Sequence, residues 1–180
     1  STKAESIGYW DSALIEFIII ILMILGNMNF LTAYILLSGK IKSFLKNTEI
    51  RFASIILLIF SVLIFINNYS SFNNNILKSL RVAFFETITA LTTTGFSTVS
   101  YNNWDIYSIF LLNILMIIGG GTCSTAGGIK QYRVALLFKS LYWELKRILL
   151  PKNTITSNKM YVGDDNIYID SQQISFTGIF

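Results

Sequence analysis

The stretch Gly119-Gly120-Gly121-Thr122-Cys123-Ser124-Thr125-Ala126-Gly127-Gly128 decides the fold. It sets five glycines into ten residues directly after an apolar run at 106–118. A segment with helical periodicity, 131–150, resumes beyond it, carrying Arg133, Lys139, Lys146 and Arg147 and preceded by Lys130. No regular lipid-facing helix can be written through so many glycines. Non-helical backbone at membrane depth persists only where protein or a water-filled cavity surrounds it.

That the surroundings are a membrane follows from composition. Of 180 residues 53% are hydrophobic and 13% charged, against about 45–50% and about 25% in an ordinary soluble domain. The missing half of the charge is the decisive term. One proline and one cysteine exclude a disordered tail and a disulfide scaffold. With no histidine and the lone Cys123 there is no His/Cys metal cluster, no Ser/His or Cys/His couple and no CxxC. The chain is therefore not expected to be an enzyme or to hold a cofactor.

Working outward, the run 13–38 reads as one membrane helix. Its apolar part, 13–37, has twenty-five residues that reach roughly 37 Å as a helix, enough for a hydrocarbon layer of about 30 Å with some tilt. Tyr9 and Trp10 stand at its start as interfacial anchors, and Glu16, Asn27 and Asn29 are its polar exceptions, expected to face protein or water. A basic loop at 39–51 follows, with Lys40, Lys42, Lys46 and Arg51 against Glu49. The second run, 52–66, is just long enough to span. An Asn/Ser-rich loop at 67–79 leads to a short helix at 80–91, too short to cross. Next comes Thr92-Thr93-Thr94-Gly95-Phe96-Ser97-Thr98, whose β-branched residues and glycine make a poor helix. An outer loop, 99–105, precedes the third run. Pro151 ends the segment after the glycine-rich break, and 151–175 reads as a polar connector.

The net charge of +4 has an address. Four basic residues lie in the loop after the first run and six between Lys130 and Lys152, but the other side has only Lys3, Lys78 and Arg81. By the positive-inside rule the first two groups are cytoplasmic, which requires 80–98 to enter from outside and return. Basicity here is topology, and nucleic acid is not an expected partner; membrane lipid is.

An internal repeat agrees. Ser1-Thr2 and then Trp10-Asp11 precede the first helix; Ser97-Thr98 and then Trp104-Asp105 precede the third. A glycine follows at nearly the same depth, Gly26 or Gly119, and then basic residues. The repeating unit is helix, re-entrant half-helix, extended loop, helix. The opening at Ser1 rather than Met, the absence of a signal-peptide pattern and the apolar run beginning at 175–180 lead us to expect an internal piece of a longer membrane protein.

A re-entrant unit has a physical reason to bind a cation. A half-helix ending in the membrane points its negative dipole end at what lies beyond. The extended residues Thr93, Thr94, Gly95 and Phe96 can aim carbonyl oxygens at an axis and replace the hydration shell of a monovalent cation. Taken alone, 92–98 reads equally as a turn-rich loop; the half-helix, repeat and topology favour the filter. Glu86 either ties down filter amides or pairs with Arg81. The glycine-rich break has no Gly-x-x-x-x-Gly-Lys-Ser/Thr and no preceding strand, which excludes a phosphate loop. It reads as a close-packed kink, as a flexible constriction whose carbonyls and Ser124 and Thr125 hydroxyls face the ion path, or as both. Cys123 is expected to be buried with it.

Together, Thr92-Thr-Thr-Gly95-Phe-Ser-Thr98 and Ser124-Thr-Ala-Gly-Gly-Ile-Lys130 resemble the Trk/Ktr/HKT potassium transporters, and within them the bacterial TrkH-type uptake subunits. The opening Ser6-Ile-Gly-Tyr-Trp-Asp-Ser12 and Gly26-Asn-Met-Asn-Phe30 are similar too, so the likeness covers almost the whole chain. The resemblance implies an all-α integral membrane fold of four helix–pore-loop–helix repeats, with a broken second helix in the third. Residues 1–12 would end the second repeat's filter and 13–38 be its second helix; 52–66, the pore half-helix 80–91, the filter 92–98 and the broken helix 106–150 would be repeat three; 176–180 would open the next helix. Thr93, Thr94, Gly95 and Phe96 would then hold potassium, and residues 119–128 would be the gating loop. Also implied are a bacterial inner-membrane location, a homodimer and a cytosolic nucleotide-binding regulatory subunit of the TrkA type. Cys123 stands where the family usually has glycine. Serine in place of Gly95 would suggest a sodium-permeable relative; glycine argues for potassium. The competing reading is a broken-helix secondary transporter of another solute.

Overall fold

The computed structural model describes residues 6–69, 75–149, 159–162 and 165–168. The helices are α1 (Ala13–Asn27), α2 (Phe30–Leu37), α3 (Ile41–Lys46), α4 (Thr48–Asn68), α5 (Ile76–Leu91), α6 (Ile106–Ile118) and α7 (Gln131–Leu149). Single 3-10 turns, Gly8–Trp10 and Tyr101–Asn103, precede α1 and α6, so the repeat read in the sequence has a structural counterpart at both helix entrances.

The half-helix α5 is the centre of the packing, lying against α1, α4 and α6. Its side chains from Phe85 to Leu91 are all buried, joined by Ile64 of α4 and Leu115 of α6. A helical segment buried on every side, as 85–91 is, must satisfy its polar groups internally. Thr87 Oγ1 donates to Ala83 O at 2.6 Å, and Glu86 and Thr89 serve the loop that follows. Asn68, at the end of α4, donates to Ser108 Oγ at 2.6 Å and accepts from Asp105 N at 3.4 Å. It thereby clips α4 to the start of α6.

α4, with 21 residues, is long and apolar enough to cross a membrane; at 1.5 Å per residue it spans about 31 Å. Leu58, Ile59, Val62 and Ile66 are exposed along it, a face suited to lipid or to further helices. It begins four residues before the expected 52, because Asn47 caps it by accepting from Glu49 N at 2.9 Å. Asn75 likewise starts α5 ahead of the expected 80 by accepting from Lys78 N.

The run 13–38, expected as one helix, is two: α1 and α2 meet at 116°. The hydrogen bonds explain it. In a continuous helix Leu31 N would donate to Asn27 O. Instead Leu31 N donates to Asn29 Oδ1 at 2.9 Å, capping α2, with Met28 and Asn29 extended. Asn27 O is released, and it accepts from Gly121 N at 3.2 Å.

The all-α class holds through the membrane part. The connector adds an antiparallel two-stranded ribbon, β1 (Lys159–Val162) with β2 (Asp165–Tyr168), Met160 opposite Ile167. Its β-branched and aromatic residues suit strands, and only Gly163-Asp164 separates them in sequence. The rest of the connector, Ser1 and Thr2, and the expected helix onset at 176–180 lie outside the described residues.

Candidate functional site

α5 ends at Leu91, and the chain turns out of it through Thr92 and into Thr93, whose φ is +53°. A β-branched residue there is strained. Gly95 follows at φ +77°, a conformation that costs glycine little. The inward-facing donors of this stretch are occupied. Thr93 N and Thr94 N donate to Ala90 O and Thr89 O, each at 3.1 Å, and Phe96 N to Thr89 Oγ1 at 2.9 Å. The Thr92 and Thr94 hydroxyls meet at 2.8 Å. Among the described hydrogen bonds, none ends on the carbonyl oxygens of Thr93, Thr94, Gly95 or Phe96. Amides bound inward and carbonyls left free is the arrangement a row of cation-facing oxygens requires.

Glu86 fixes the outer end. Its Oε1 accepts from Thr98 N at 2.8 Å and from Thr98 Oγ1 at 3.0 Å, and its Oε2 accepts from the Tyr101 hydroxyl. Of the two readings left open by the sequence, Glu86 follows the first. Burial, and then the neighbouring carboxylate, push the Tyr101 phenol well above its ordinary range, so it stays a donor. Arg81 turns elsewhere, meeting Glu16 of α1 and Asp11 just before it at 3.0 Å each. Ser97 O accepts from Ile7 N at 3.0 Å and Gly8 N at 3.2 Å, which sets the 3-10 turn before α1 against the outer end of the filter stretch.

The glycine-rich break is a loop inserted into a helical bond ladder. Gly119 N still donates to Leu115 O, as a helix requires. Farther along, Ile117 O and Ile118 O would take Gly121 N and Thr122 N in a continuous helix; they take Ile129 N at 2.9 Å and Lys130 N at 3.1 Å instead. Gly120 N to Gly127 O at 3.1 Å and Gln131 N to Gly120 O at 2.9 Å close the base. The glycines serve this close approach. A Cβ on Gly119, whose φ is +70°, would strike Gly127 O and Gly128 Cα, and one on Gly120 would strike Asn27 Oδ1 and Ala126 Cβ.

The loop and the filter stretch, 34 residues apart, are brought together: Gly127 N donates to Thr93 Oγ1 at 2.8 Å. On the other side of the loop, Thr125 Oγ1 donates to Gly26 O at 3.1 Å and Ser124 Oγ to Gly121 O at 2.6 Å. Both hydroxyls expected to face an ion give their protons to protein carbonyls, which leaves their oxygen lone pairs. Lys130 Nζ rests on Ala126 O. A cavity of about 420 Å³ lies between α1 (Ile19, Met23, Asn27), the filter stretch (Thr94, Phe96) and the loop (Thr125). Cys123, expected to be buried, is exposed at the loop tip, where its φ of +54° belongs to a tight turn.

Two residues of this site were noted in the sequence without their role. Asn27 stood out as a polar exception in an apolar run, and Glu49 only as a counter-charge among lysines. Both hold the loop. Asn27 Oδ1 accepts from Gly121 N at 3.1 Å, and Glu49 Oε1 accepts from Thr122 N and, at 2.9 Å, from Thr122 Oγ1. No group of three or more His, Cys, Asp or Glu suited to a metal ion exists among the described residues.

A membrane helix, a buried re-entrant half-helix, an extended loop with free carbonyls and a second helix broken by glycines define the class: a pore-loop membrane transport protein. The profile of the TrkH family, described as cation transport protein, matches residues 1–178, and the chain belongs to that family, which is one of transporters and not of enzymes. The Trk system potassium uptake protein TrkH of Escherichia coli is 37% identical over 166 residues, covering 89% of this chain and 33% of that protein. The potassium uptake protein TrkG of the same species is 32% identical over 162 residues. The crystal structure of the potassium transporter TrkH from Vibrio parahaemolyticus superposes with a TM-score of 0.78 at 28% identity, over 89% of this chain and 35% of that one. The chain thus spans about a third of the length of the relatives it matches.

Proposed function

We propose that this chain supplies one quarter of the selectivity filter, and the gate, of a potassium-translocating pore. The observation that carries this is the stretch from Thr93 to Phe96, where the amides of Thr93, Thr94 and Phe96 are bound inward while all four carbonyl oxygens take no described hydrogen bond. One such stretch offers about a quarter of a coordinating ring, so three further copies complete it. The names of the relatives supply the ion, and Gly95 in place of serine favours potassium over sodium.

In this reading α3, the first turn of α4 and α7 carry the basic residues of the cytoplasmic side, α5 enters from outside, and the loop 119–128 lies under the filter and obstructs it. The ion sheds water into the carbonyls of Thr93, Thr94, Gly95 and Phe96, and the cavity beside Thr94 and Thr125 receives it. The whole protein is a bacterial inner-membrane homodimer, and α7 with the connector meets a cytosolic nucleotide-binding subunit.

The test is rubidium uptake by the full-length protein in a bacterium lacking potassium uptake, beside Gly95→Asp. Uptake that potassium competes away and the substitution abolishes is the expected result. Uptake indifferent to the substitution removes the filter assignment.

A further inference from the structure

The loop's insertion into the α6 ladder displaces two amides, Gly121 N and Thr122 N, from the carbonyls of Ile117 and Ile118. Buried amides left unpaired are costly, so something must take them. Gly121 N goes to Asn27, through both the backbone oxygen at 3.2 Å and Oδ1 at 3.1 Å. Thr122 N goes to the Glu49 carboxylate, which also takes the Thr122 hydroxyl on the same oxygen. These are two of the amides that the ladder gave up; Gly120 N, displaced as well, goes to Gly127 O within the loop.

The two anchors differ in kind. Half of the Asn27 contact is backbone, so removing its side chain leaves an acceptor in place. The Glu49 contact is side chain only, and it is charge-assisted, which makes it the stronger. Glu49 sits in the first turn of α4 with its own amide capped by Asn47 at 2.9 Å. It is buried, and nothing in the cytoplasmic-side sequence around it predicted a partner 73 residues on.

We propose that Glu49 is the positioning residue of the glycine-rich loop: its carboxylate replaces a lost helical bond and so holds the loop tip against the rest of the site. That part stands on geometry alone. The consequence for transport rests on the reading of 119–128 as the gate: with the anchor gone, the loop leaves the space under the filter and unstimulated flux rises.

The experiment uses the full-length protein, its other cysteines replaced, with a nitroxide on Cys123 and the sample reconstituted without its regulatory subunit. Spin-label mobility reports the loop, and rubidium flux reports the pore. Glu49→Ala should mobilise the label and raise flux roughly tenfold, the low end for losing a hydrogen bond to a charged group. Glu49→Gln keeps an acceptor oxygen and should restore most of the immobilisation. Thr122→Ala, which keeps the amide, should fall between, and the two sites should be non-additive in combination. Thr122→Ala and Glu49→Gln also keep the test open if Glu49→Ala fails to fold. A label whose mobility ignores the substitutions at residues 49 and 122 overturns the proposal. A label that is mobilised while flux stays level upholds the anchor and overturns the gate.

Discussion

Thr93 Oγ1 accepts a hydrogen bond from Gly127 N at 2.8 Å, so the strained residue that follows α5 is tied to the glycine-rich loop. The two stretches lie 34 residues apart in the chain, yet they share a bond. A change in either is felt by the other without any intermediary.

Gly95 tests conformation apart from space. Its φ of +77° disfavours any Cβ, yet nothing lies within 4 Å of where that atom would be. Gly95→Ala should therefore reduce rubidium flux through backbone strain of about 1–2 kcal/mol, and Gly95→Asn, better suited to left-handed backbone, should reduce it less. Equal loss in both would point to a steric cause instead.

Removing the Glu86 carboxylate should loosen the outer filter. Glu86 is fully buried and accepts from Thr98 N, Thr98 Oγ1 and Tyr101. Glu86→Ala leaves those donors unpaired and should cost about 1–3 kcal/mol or more, seen as a lowered unfolding midpoint in detergent. Tyr101→Phe should cost less, since one acceptor lobe alone is freed.

The loop glycines should rank by what their missing Cβ would meet. Gly119→Ala collides with backbone at positive φ, whereas the nearest atom to a Cβ on Gly127 is the flexible Thr93 Oγ1 at 3.6 Å. Potassium-dependent growth should therefore fail with Gly119→Ala and persist with Gly127→Ala. The reverse order would contradict the close packing at the loop base.

Arg81 should matter more than its exposure suggests. Its Nε meets Glu16 Oε2 at 3.0 Å, without hydrogen-bond alignment, and Glu16 is only 3% exposed. Arg81→Gln strands a buried carboxylate and should cost about 3–5 kcal/mol, whereas Asp11→Asn removes an exposed partner and should cost less than about 1 kcal/mol. Thermal unfolding of the two variants separates them.

The sequence announced the elements through local signals: apolar runs for α4 and α6, the glycine run for the loop, and a short helix before threonines for α5. It did not announce the bend between α1 and α2. Gly26, Asn27 and Asn29 were visible, but the bend depends on Asn27 O finding Gly121 N, 94 residues away. Glu49 was hidden for the same reason. A carboxylate among lysines reads as their counter-charge, and only the fold reveals that it faces an amide. Local propensity can say that a helix is weak at a point; it cannot say which distant group will take the bonds released there.

The bond from Ile129 N to Ile117 O has a consequence for how this region can change over time. In an uninterrupted helix each added residue turns everything after it by about 100°. Here the ladder is stitched across the loop, with Ile129 and Lys130 taking the places of residues 121 and 122. Residues gained or lost between those points do not pass their rotation on to α7. The segment can be lengthened, shortened or exchanged while the face that α7 presents keeps its phase, so the loop is free to evolve without retuning the helix that follows it.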